Sequence, residues 1–278
     1  MNGLLLLLAA GWLGAYIGMA GVRRWFPVRG WIAPNYTGKE IPLGYGCVFA
    51  FCLLFFLFEG IRVRYDAAVL LMTGGAIVAS LIGWIDDRIG QQETKGLRGH
   101  MRQLWNEGRI STGLWKAAVI GGCAFLLALR TSTTFGSLVA HTLLLMLGAN
   151  FINLLDVRPG RALKGFWLIQ LLCIGFGVAA AEIIPLFLYV FICTLAAAPA
   201  DFSGKAMLGD TGANLLGFAA GMFCMYSFGP QGEWLLVLLL SALHLYTEKV
   251  SLTAVIERHP LLYRIDGWGR TKQAKDQQ

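Results

Sequence analysis

The chain has 278 residues, of which 56% are apolar and only 14% are charged, and its formal net charge is +7. Soluble domains carry roughly 45–50% apolar and about 25% charged residues, so this composition excludes a protein that faces water on all sides and favours a membrane protein. The basic balance is typical of cytoplasmic loops in membrane proteins. No segment combines dense basic charge with the length of a nucleic-acid-binding domain, so no nucleic-acid partner is expected.

Nine apolar segments predict an all-α, polytopic membrane helix bundle with about nine transmembrane helices, because one span needs about 20 mostly apolar residues. The sixth and seventh segments nearly touch at Pro185, which favours a tight turn there. A single domain is predicted over residues 1–270, followed by a disordered tail over 271–278. The segments lie near residues 3–22, 44–61, 67–85, 114–130, 135–155, 166–181, 183–199, 213–229 and 234–256.

The distribution of Lys and Arg predicts the orientation of these helices. Arg23 and Arg24 follow the first apolar segment, which places the N-terminus outside and argues against a cleavable signal peptide. With this orientation, only Arg62, Arg64 and Arg130 of the 23 basic residues lie on the outer side. We therefore expect a multi-pass protein of the cytoplasmic membrane with a cytoplasmic C-terminus and its polar chemistry on the cytoplasmic face.

One long cytoplasmic segment, residues 95–109, has the pattern of a helix that lies on the membrane surface. Leu97, Met101, Leu104 and Trp105 recur at helical spacing, while basic residues take the other positions. The alternative is a solvated basic loop.

Aspartates gather where the predicted helices meet the cytoplasm. Asp86 and Asp87 follow the third apolar segment, Asp156 follows the fifth, Asp201 follows the seventh, and Asp210 precedes the eighth. Carboxylates at membrane depth are costly, so they usually pair, bind a cation or face a polar cavity. Adjacent carboxylates suit Mg²⁺ that is shared with a bound phosphate. The alternatives are a solvated helix end for the adjacent pair and a helix cap for the last aspartate.

Further polar residues lie close to Asp156 in the sequence. Asn150 and Asn153 precede Asp156 at helical spacing, and either a ligand or hydrogen bonding between helices would satisfy them. Arg158 and Arg161 flank a Pro-Gly turn and suit a diphosphate, because guanidinium groups grip phosphate oxygens in a forked way. The alternative for the two arginines is ordinary positive charge on the cytoplasmic side.

Four segments, taken in order, resemble motifs of the polyprenyl-phosphate hexosamine-1-phosphate transferase superfamily. This superfamily includes phospho-N-acetylmuramoyl-pentapeptide transferase and the UDP-N-acetylglucosamine:undecaprenyl-phosphate transferases. The resemblance covers roughly residues 1–270. The matching segments are Ile41-Pro42-Leu43-Gly44-Tyr45-Gly46, Trp84-Ile85-Asp86-Asp87 with Lys95-Gly96-Leu97, Asn150-Phe151-Ile152-Asn153-Leu154-Leu155-Asp156, and Lys205-Ala206-Met207-Leu208-Gly209-Asp210-Thr211-Gly212.

The resemblance implies a reaction in which a lipid phosphate oxygen attacks the β-phosphorus of a UDP-sugar and UMP leaves. The implied cofactor is Mg²⁺, with Mn²⁺ as an alternative. The implied partners are undecaprenyl phosphate or another polyprenyl phosphate, the UDP-sugar and the lipid bilayer, and a homodimer is left open. The process served would be synthesis of a cell-wall polymer or a surface polysaccharide.

The resemblance also implies roles for individual residues. The catalytic carboxylates are Asp86, Asp87, Asp156 and Asp210, of which Asp210 and Asp87 are the metal ligands. Asp86 and Asp87 hold the metal or assist deprotonation of the lipid phosphate. Asn150 and Asn153, together with Asp156, would line the nucleotide-sugar site, and Lys95 and Lys205 would meet phosphates. The predicted substrate-binding residues also include Arg158, Arg161 and His259.

Three positions depart from the family pattern. His259 is the single histidine in the stretch where the family has a cluster of them, Val157 stands where the family often has glycine, and Ala213 stands where serine is common. These departures favour UDP-N-acetylglucosamine over the muramoyl-pentapeptide nucleotide as donor. We hypothesise that Arg158 and Arg161 replace lost phosphate contacts, a hypothesis that fails if Arg161→Ala leaves binding and turnover of a UDP-sugar unchanged.

Two other functions stay open on the sequence. A catalytically degenerate member of the family would bind the lipid phosphate or a partner without turnover. A membrane transporter would carry polar residues through the middle of its spans and interrupted helices. The gathering of acids at one face argues against the transporter.

Overall fold

The computed structural model describes residues 2–90, 105–106, 111–178 and 180–270. Eleven α-helices dominate this part of the chain, which agrees with the predicted all-α bundle. They are α1 (Asn2–Trp25), α2 (Cys47–Val63), α3 (Ala67–Ile89), α4 (Thr112–Thr131), α5 (Phe135–Leu155), α6 (Arg161–Phe176), α7 (Ile184–Phe202), α8 (Gly209–Ser227), α9 (Pro230–Thr247), α10 (Leu252–Arg258) and α11 (Pro260–Gly267).

Several helices are long and apolar enough to cross a bilayer. Within the described ranges these are five helices, α1, α3, α4, α5 and α7, and a sixth if α9 and α10 are counted as one bent span. Helices α2 and α6 have only 17 and 16 residues. Long apolar helices of this kind need a lipid environment, so the chain is a membrane protein.

Helix α8 lies at the centre of the bundle. All of its residues except Asp210 and Tyr226 are buried, and it packs most closely against α5 and α3. Helices α1 and α4 lie at the periphery, where most of their apolar side chains remain exposed. A helix that is surrounded by protein can carry polar groups at its end, because other chain segments satisfy them instead of lipid.

Small residues allow α5 and α8 to approach until their backbones touch. A Cβ atom at Gly148 of α5 would lie 2.5 Å from the carbonyl oxygen of Gly217 of α8, and a side chain at Gly217 would collide with Gly148 in turn. Close packing through small residues is the usual means of helix association in membranes. The close contact between the two backbones fixes the start of α8 relative to the end of α5. Asp156 follows directly after that end of α5.

A short hairpin connects α1 to α2 on the side where α3, α5 and α7 end. A 3₁₀ helix (Pro27–Arg29) leads into strands β1 (Ile32–Pro34) and β2 (Glu40–Pro42), which pair antiparallel with Ala33 opposite Ile41. The Asn35 side chain closes the turn by accepting hydrogen bonds from the backbone of Thr37 and Lys39. The hairpin delivers residues 43–46 to the start of α8.

Two predicted spans have different bounds in the structure. The sixth was predicted over residues 166–181, but α6 begins at Arg161 and ends at Phe176, with Gly177 extended after it. The ninth was predicted as continuous over residues 234–256, but the chain bends by 95° between α9 and α10. The bend follows Glu248 and Lys249, and a pair of charged residues interrupts the apolar pattern there.

Two predictions fall on other parts of the chain. The surface helix over residues 95–109 lies outside the described residues, apart from helical residues 105 and 106. The disordered tail over residues 271–278 also lies outside them. Both stay predictions.

Candidate active site

Backbone hydrogen bonds join two of the motif segments next to the start of α8. The carbonyl oxygen of Met207 accepts hydrogen bonds from the amides of Gly44 (3.0 Å) and Tyr45 (3.1 Å), and the Met207 amide donates to Pro42 (2.8 Å). Segment 41–46 therefore runs beside segment 205–212 as an added strand-like pair. A side chain at Gly46 would collide with the backbone of Gly212, so glycine is required for this approach.

Carboxylates from the other two segments cap the first amides of α8. Asp156 accepts a hydrogen bond from the Gly209 amide (2.9 Å). Asp87 accepts from the amides of Asp210 (2.9 Å) and Thr211 (3.0 Å) and from the Thr211 hydroxyl (2.5 Å). The first amides of a helix lack intrahelical partners and carry partial positive charge, so carboxylates stabilise them. The described parts of all four segments that carry the resemblance thus meet at one helix end, and Lys95-Gly96-Leu97 of the second segment lie outside the described residues.

Lys116 of α4 bridges two of the predicted catalytic carboxylates. Its ammonium group lies 2.8 Å from Asp86 Oδ2 and also contacts Asp210 Oδ2. The side chains of all three residues are less than a quarter exposed. The sequence interpretation did not include Lys116 among the site residues. One sequence feature could have indicated it: Lys116 is a single lysine close to the start of an otherwise apolar span. An ammonium group at membrane depth is costly unless it has a partner.

Asp201 of α7 completes a carboxylate cluster, which we define as Asp86, Asp87, Asp156, Asp201 and Asp210. Asp201 is buried and accepts a hydrogen bond from the Gly160 amide (2.8 Å). Among the described residues, Lys116 is the only cation that is hydrogen-bonded to this cluster. Within the described residues, five carboxylates with one hydrogen-bonded ammonium group leave the cluster itself with an excess of negative charge, while Arg88, Lys164 and Arg270 act on Asp87 and Asp201 only through space.

The surroundings of Asp156 show the effect of this excess on protonation. Burial raises the pKa of the Asp156 carboxyl well above its usual range, and the charges of Asp201, Asp87 and Asp210 raise it further. The hydrogen bond from the Gly209 amide acts in the opposite direction without cancelling these effects. A cation bound among the carboxylates would relieve the repulsion.

Arg88 holds the loop that follows β2 instead of neutralising the cluster by a hydrogen bond. Its guanidinium group stacks 4.1 Å from the ring centroid of Trp84 and 4.8 Å from that of Trp31. One of its terminal nitrogens donates to the carbonyl oxygen of Leu43 (2.9 Å). Stacking on aromatic rings and a backbone hydrogen bond are both favourable for arginine, so Arg88 positions segment 41–46.

The two asparagines and Lys205 have side chains available for a ligand. Asn150 is exposed and Asn153 is partly buried on α5, and Lys205 is exposed in the loop before α8. None of the three side chains makes a hydrogen bond to the described part of the chain. They lie on the same segments as Asp156 and Asp210, which is compatible with the predicted contacts to a nucleotide-sugar.

Arg158 and Arg161 have different surroundings. The guanidinium group of Arg158 lies 4.7 Å from the ring centroid of Tyr36 and 3.4 Å from Glu257, near the hairpin. Arg161 is buried and forms a two-point ion pair with Asp266 at 2.8 and 2.9 Å. Its third hydrogen bond goes to the hydroxyl of Thr253. The guanidinium group of Arg161 is therefore hydrogen-bonded to Asp266 and Thr253 and not to the carboxylate cluster, and its predicted role at a diphosphate stays a prediction.

Arg161 belongs to a group of charged residues that fixes the last described helix, which we call the α11 clamp (Arg161, Lys164, Asp266 and Arg270); Lys164 is partly buried and the other three are buried. Arg270 donates to Asp266 (2.8 Å) and to the carbonyl oxygen of Pro159 (2.9 Å). Lys164 donates to the carbonyl oxygens of Ile265 (3.0 Å) and Asp266 at the end of α11. The clamp ties α11 to the turn that follows Asp156.

The two remaining predicted substrate residues are not brought to the cluster by any described contact. His259 is exposed at the corner between α10 and α11, and its side chain makes no hydrogen bond to the described residues. Lys95 lies outside the described residues. Both roles stay predictions.

A groove lies between the end of α3 and the start of α4, and Asp86 of the cluster lines it. Its volume is about 300 Å³, and its polar lining comes from Asp86, Ser111, Thr112 and Lys116. Its apolar walls are Ile82, Ile85, Ile89 and Trp115. A groove of this kind can hold an apolar chain while a polar group at its end reaches the carboxylates.

No protein-family model matches the chain, and no curated protein matches it in sequence. Nor do any three His, Cys, Asp or Glu side chains form a ready-made metal site in the ranges that the structure describes. Mg²⁺ nevertheless suits the donor set, because it is usually held by one or two carboxylates together with substrate phosphates and water.

Proposed function

We propose that this protein transfers a hexosamine-1-phosphate from a UDP-sugar, with UDP-N-acetylglucosamine as the favoured donor, to polyprenyl phosphate. The observation that carries the proposal is the convergence of the described parts of the four motif-bearing segments on the start of α8. Chance similarity in four short segments gives no reason for them to meet at one point, whereas a common site does.

The proposed reaction is a displacement at phosphorus. An oxygen of the lipid phosphate forms a new bond to the β-phosphorus of the UDP-sugar, and the bond from that phosphorus to the bridging oxygen breaks. The bridging oxygen keeps the electron pair and leaves as part of UMP. The lipid product is a polyprenyl-diphosphate sugar.

Mg²⁺, with Mn²⁺ as the alternative, is the proposed cofactor. When bound, it would be held by Asp210 together with Asp86 or Asp87 and would offset the negative charge of the diphosphate. Asp87 and Asp156 hold the first amides of α8, and this fixes the backbone from which the Asp210 side chain extends. We therefore assign a positioning role to Asp156 and, beside its predicted ligand role, to Asp87.

The groove between α3 and α4 is the proposed entry for the lipid acceptor. Its apolar walls suit the first isoprenoid units, and the lipid phosphate would meet the donor beside Asp86 and Lys116 in its polar lining. Asn150 and Asn153 of α5 and Lys205 in the loop before α8 offer hydrogen-bond donors to the nucleotide-sugar. Arg158, beside Tyr36, offers a further cation.

The proposed topology has nine membrane-crossing helices, an outer N-terminus and a cytoplasmic carboxylate cluster. Nine described helices occupy the positions of the nine apolar segments, and α3, α5 and α7 all end at the cluster. Arg62 and Arg64 lie at the end of α2, and Arg130 lies at the end of α4, so all three lie opposite the cluster. This division of charge supports a cytoplasmic site.

A non-catalytic relative that binds lipid phosphate is the second candidate. Two observations favour it: Lys116 engages both Asp86 and Asp210, and His259 has no described contact with the cluster. Such a protein would bind polyprenyl phosphate but release no UMP.

The test is UMP release by the detergent-purified protein, given undecaprenyl phosphate, Mg²⁺ and a panel of UDP-sugars. We expect Mg²⁺-dependent release with at least one donor and loss of that release in Asp210→Asn. Asp66→Asn is the matched control, because Asp66 caps α3 at the opposite end of the bundle, and it should keep the activity. Lipid binding without UMP release from any donor would favour the non-catalytic candidate.

A further inference from the structure

Lys116 of α4 lies between Asp86 of α3 and Asp210 of α8. Its ammonium group lies 2.8 Å from Asp86 and is also in contact with Asp210, so one positive charge bridges two carboxylates from different helices. Both carboxylates belong to the set from which the proposed divalent cation would take its oxygen ligands. An ammonium group and a divalent cation would therefore seek the same oxygens.

The other charged groups around this position do not remove the competition. Asp87 of α3 and Asp156 after α5 already accept hydrogen bonds from the start of α8, and Asp201 of α7 accepts one from Gly160. Arg88 of α3 is turned toward Trp84 and the carbonyl oxygen of Leu43. Lys116 is thus the cation that balances Asp86 and Asp210 within the described part of the bundle.

We propose that Lys116 is a resident counter-ion that competes with the divalent cation for Asp86 and Asp210 and so sets the affinity of the site for that cation. The inference deepens the proposed function and rests on it, because it assumes that a divalent cation binds at these carboxylates. A bound cation either displaces the ammonium group or tolerates its repulsion. In both cases Lys116 weakens divalent binding.

If Lys116 competes with the divalent cation, its removal should change the affinity for that cation in the direction opposite to that expected for a purely structural residue. If Lys116 only holds the two carboxylates in a useful geometry, its removal should weaken divalent binding. If Lys116 competes, removal of its charge should strengthen binding, since two carboxylates then face the cation without a neighbouring positive charge. The sign of the change separates the two roles.

The experiment measures Mn²⁺ binding directly, by electron paramagnetic resonance of free Mn²⁺ in titrations of the detergent-purified protein at constant neutral pH. We expect Lys116→Met to lower the Kd for Mn²⁺ by about tenfold or more. Lys116→Arg keeps the charge and should bind like the unmodified protein. Arg130→Met, which removes an exposed cation from the other end of the same helix, is the control and should leave the Kd unchanged.

Lys116→Gln repeats the test with a polar neutral side chain in case Lys116→Met does not fold. Equal or weaker Mn²⁺ binding in a folded neutral variant would overturn the inference while leaving the proposed transferase intact. Absence of Mn²⁺ binding in every form, including the unmodified protein, would overturn the divalent site itself and the inference with it. UMP release is not needed for either conclusion.

Discussion

At the scale of single residues, Asp87 is a cap supplied by a different helix. Three donors from Asp210 and Thr211 converge on its two oxygens. A carboxylate that accepts backbone amides at a helix start satisfies groups that otherwise have no partner, and inside a bundle water cannot easily replace it. The same contact connects the end of α3 to the helix that carries Asp210.

Asp87→Ala should destabilise the protein by about 1–3 kcal/mol, because it leaves buried donors at the start of α8 without an acceptor. Asp66→Ala removes an exposed cap from α3 and should cost about 1 kcal/mol or less, because water can take the place of the carboxylate. Thermal unfolding in detergent would measure both. Equal losses of stability in the two variants would contradict a buried cap at Asp87.

At the scale of elements, the α11 clamp holds the last described helix onto α6. Asp266 lies between two guanidinium groups, those of Arg161 and Arg270, and all three side chains are almost completely buried. A buried carboxylate with several charged donors is strongly destabilising to remove, since its partners are then left buried without a counter-charge. The clamp therefore keeps α11 against the turn that follows Asp156.

Asp266→Asn should release α11 and cost about 3–5 kcal/mol, because two buried guanidinium groups lose their counter-charge. Hydrogen exchange of residues 260–270 would detect the release. Glu257→Gln is the control, because Glu257 is half exposed and lies 3.4 Å from Arg158, and it should change stability by about 1 kcal/mol or less. Protection of α11 in Asp266→Asn equal to that of the control would be evidence against the clamp.

The stabilisation that the ion pairs of Asp266 provide depends on pH. Burial by itself raises the pKa of Asp266, but the hydrogen bonds from Arg161 and the charges of Arg161, Arg270 and Lys164 lower it below its usual range. Because the folded pKa lies below the unfolded value of about 3.9, the stabilisation is complete above that value and is lost as the pH falls through the folded pKa. Protection of α11 should accordingly persist at neutral pH and disappear only in acid.

At the scale of the whole molecule, charge and polarity divide the bundle into two ends. The carboxylate cluster and the α11 clamp lie at one end. The other end carries a buried pair, His141 with Glu233 at 3.3 Å, and the exposed residues Arg64 and Asp66. Short connections join the helices at this second end, which leaves little room for a substrate site.

The proposed orientation predicts which end a membrane-impermeant maleimide can reach. In intact cells, Thr133→Cys should be labelled and Lys39→Cys should not, because these exposed positions lie at opposite ends of the bundle. The unmodified protein gives the background, since four of its six cysteines are buried and Cys47 and Cys123 are only partly exposed. The reverse labelling pattern would place the cluster outside.

The sequence alone determined the class of protein, the approximate position of each helix and the gathering of acids at helix ends. These properties depend on local runs of apolar residues and on charges that interrupt them, and such patterns can be read along a single stretch of chain. The predicted bounds differ from the structure where that pattern was weak, as at the end of α6 and at the bend after α9.

Only the tertiary structure decided which polar groups meet. Nothing near Asp87 in sequence indicates that it caps α8, and nothing near Arg161 indicates that it pairs with Asp266 instead of facing the cluster. Lys116 reaches Asp86 and Asp210 only because α4 packs beside α3 at the end where α8 begins. Such partnerships depend on the packing of helices that are distant in sequence, and that packing is set by side chains and backbone contacts along whole helix faces.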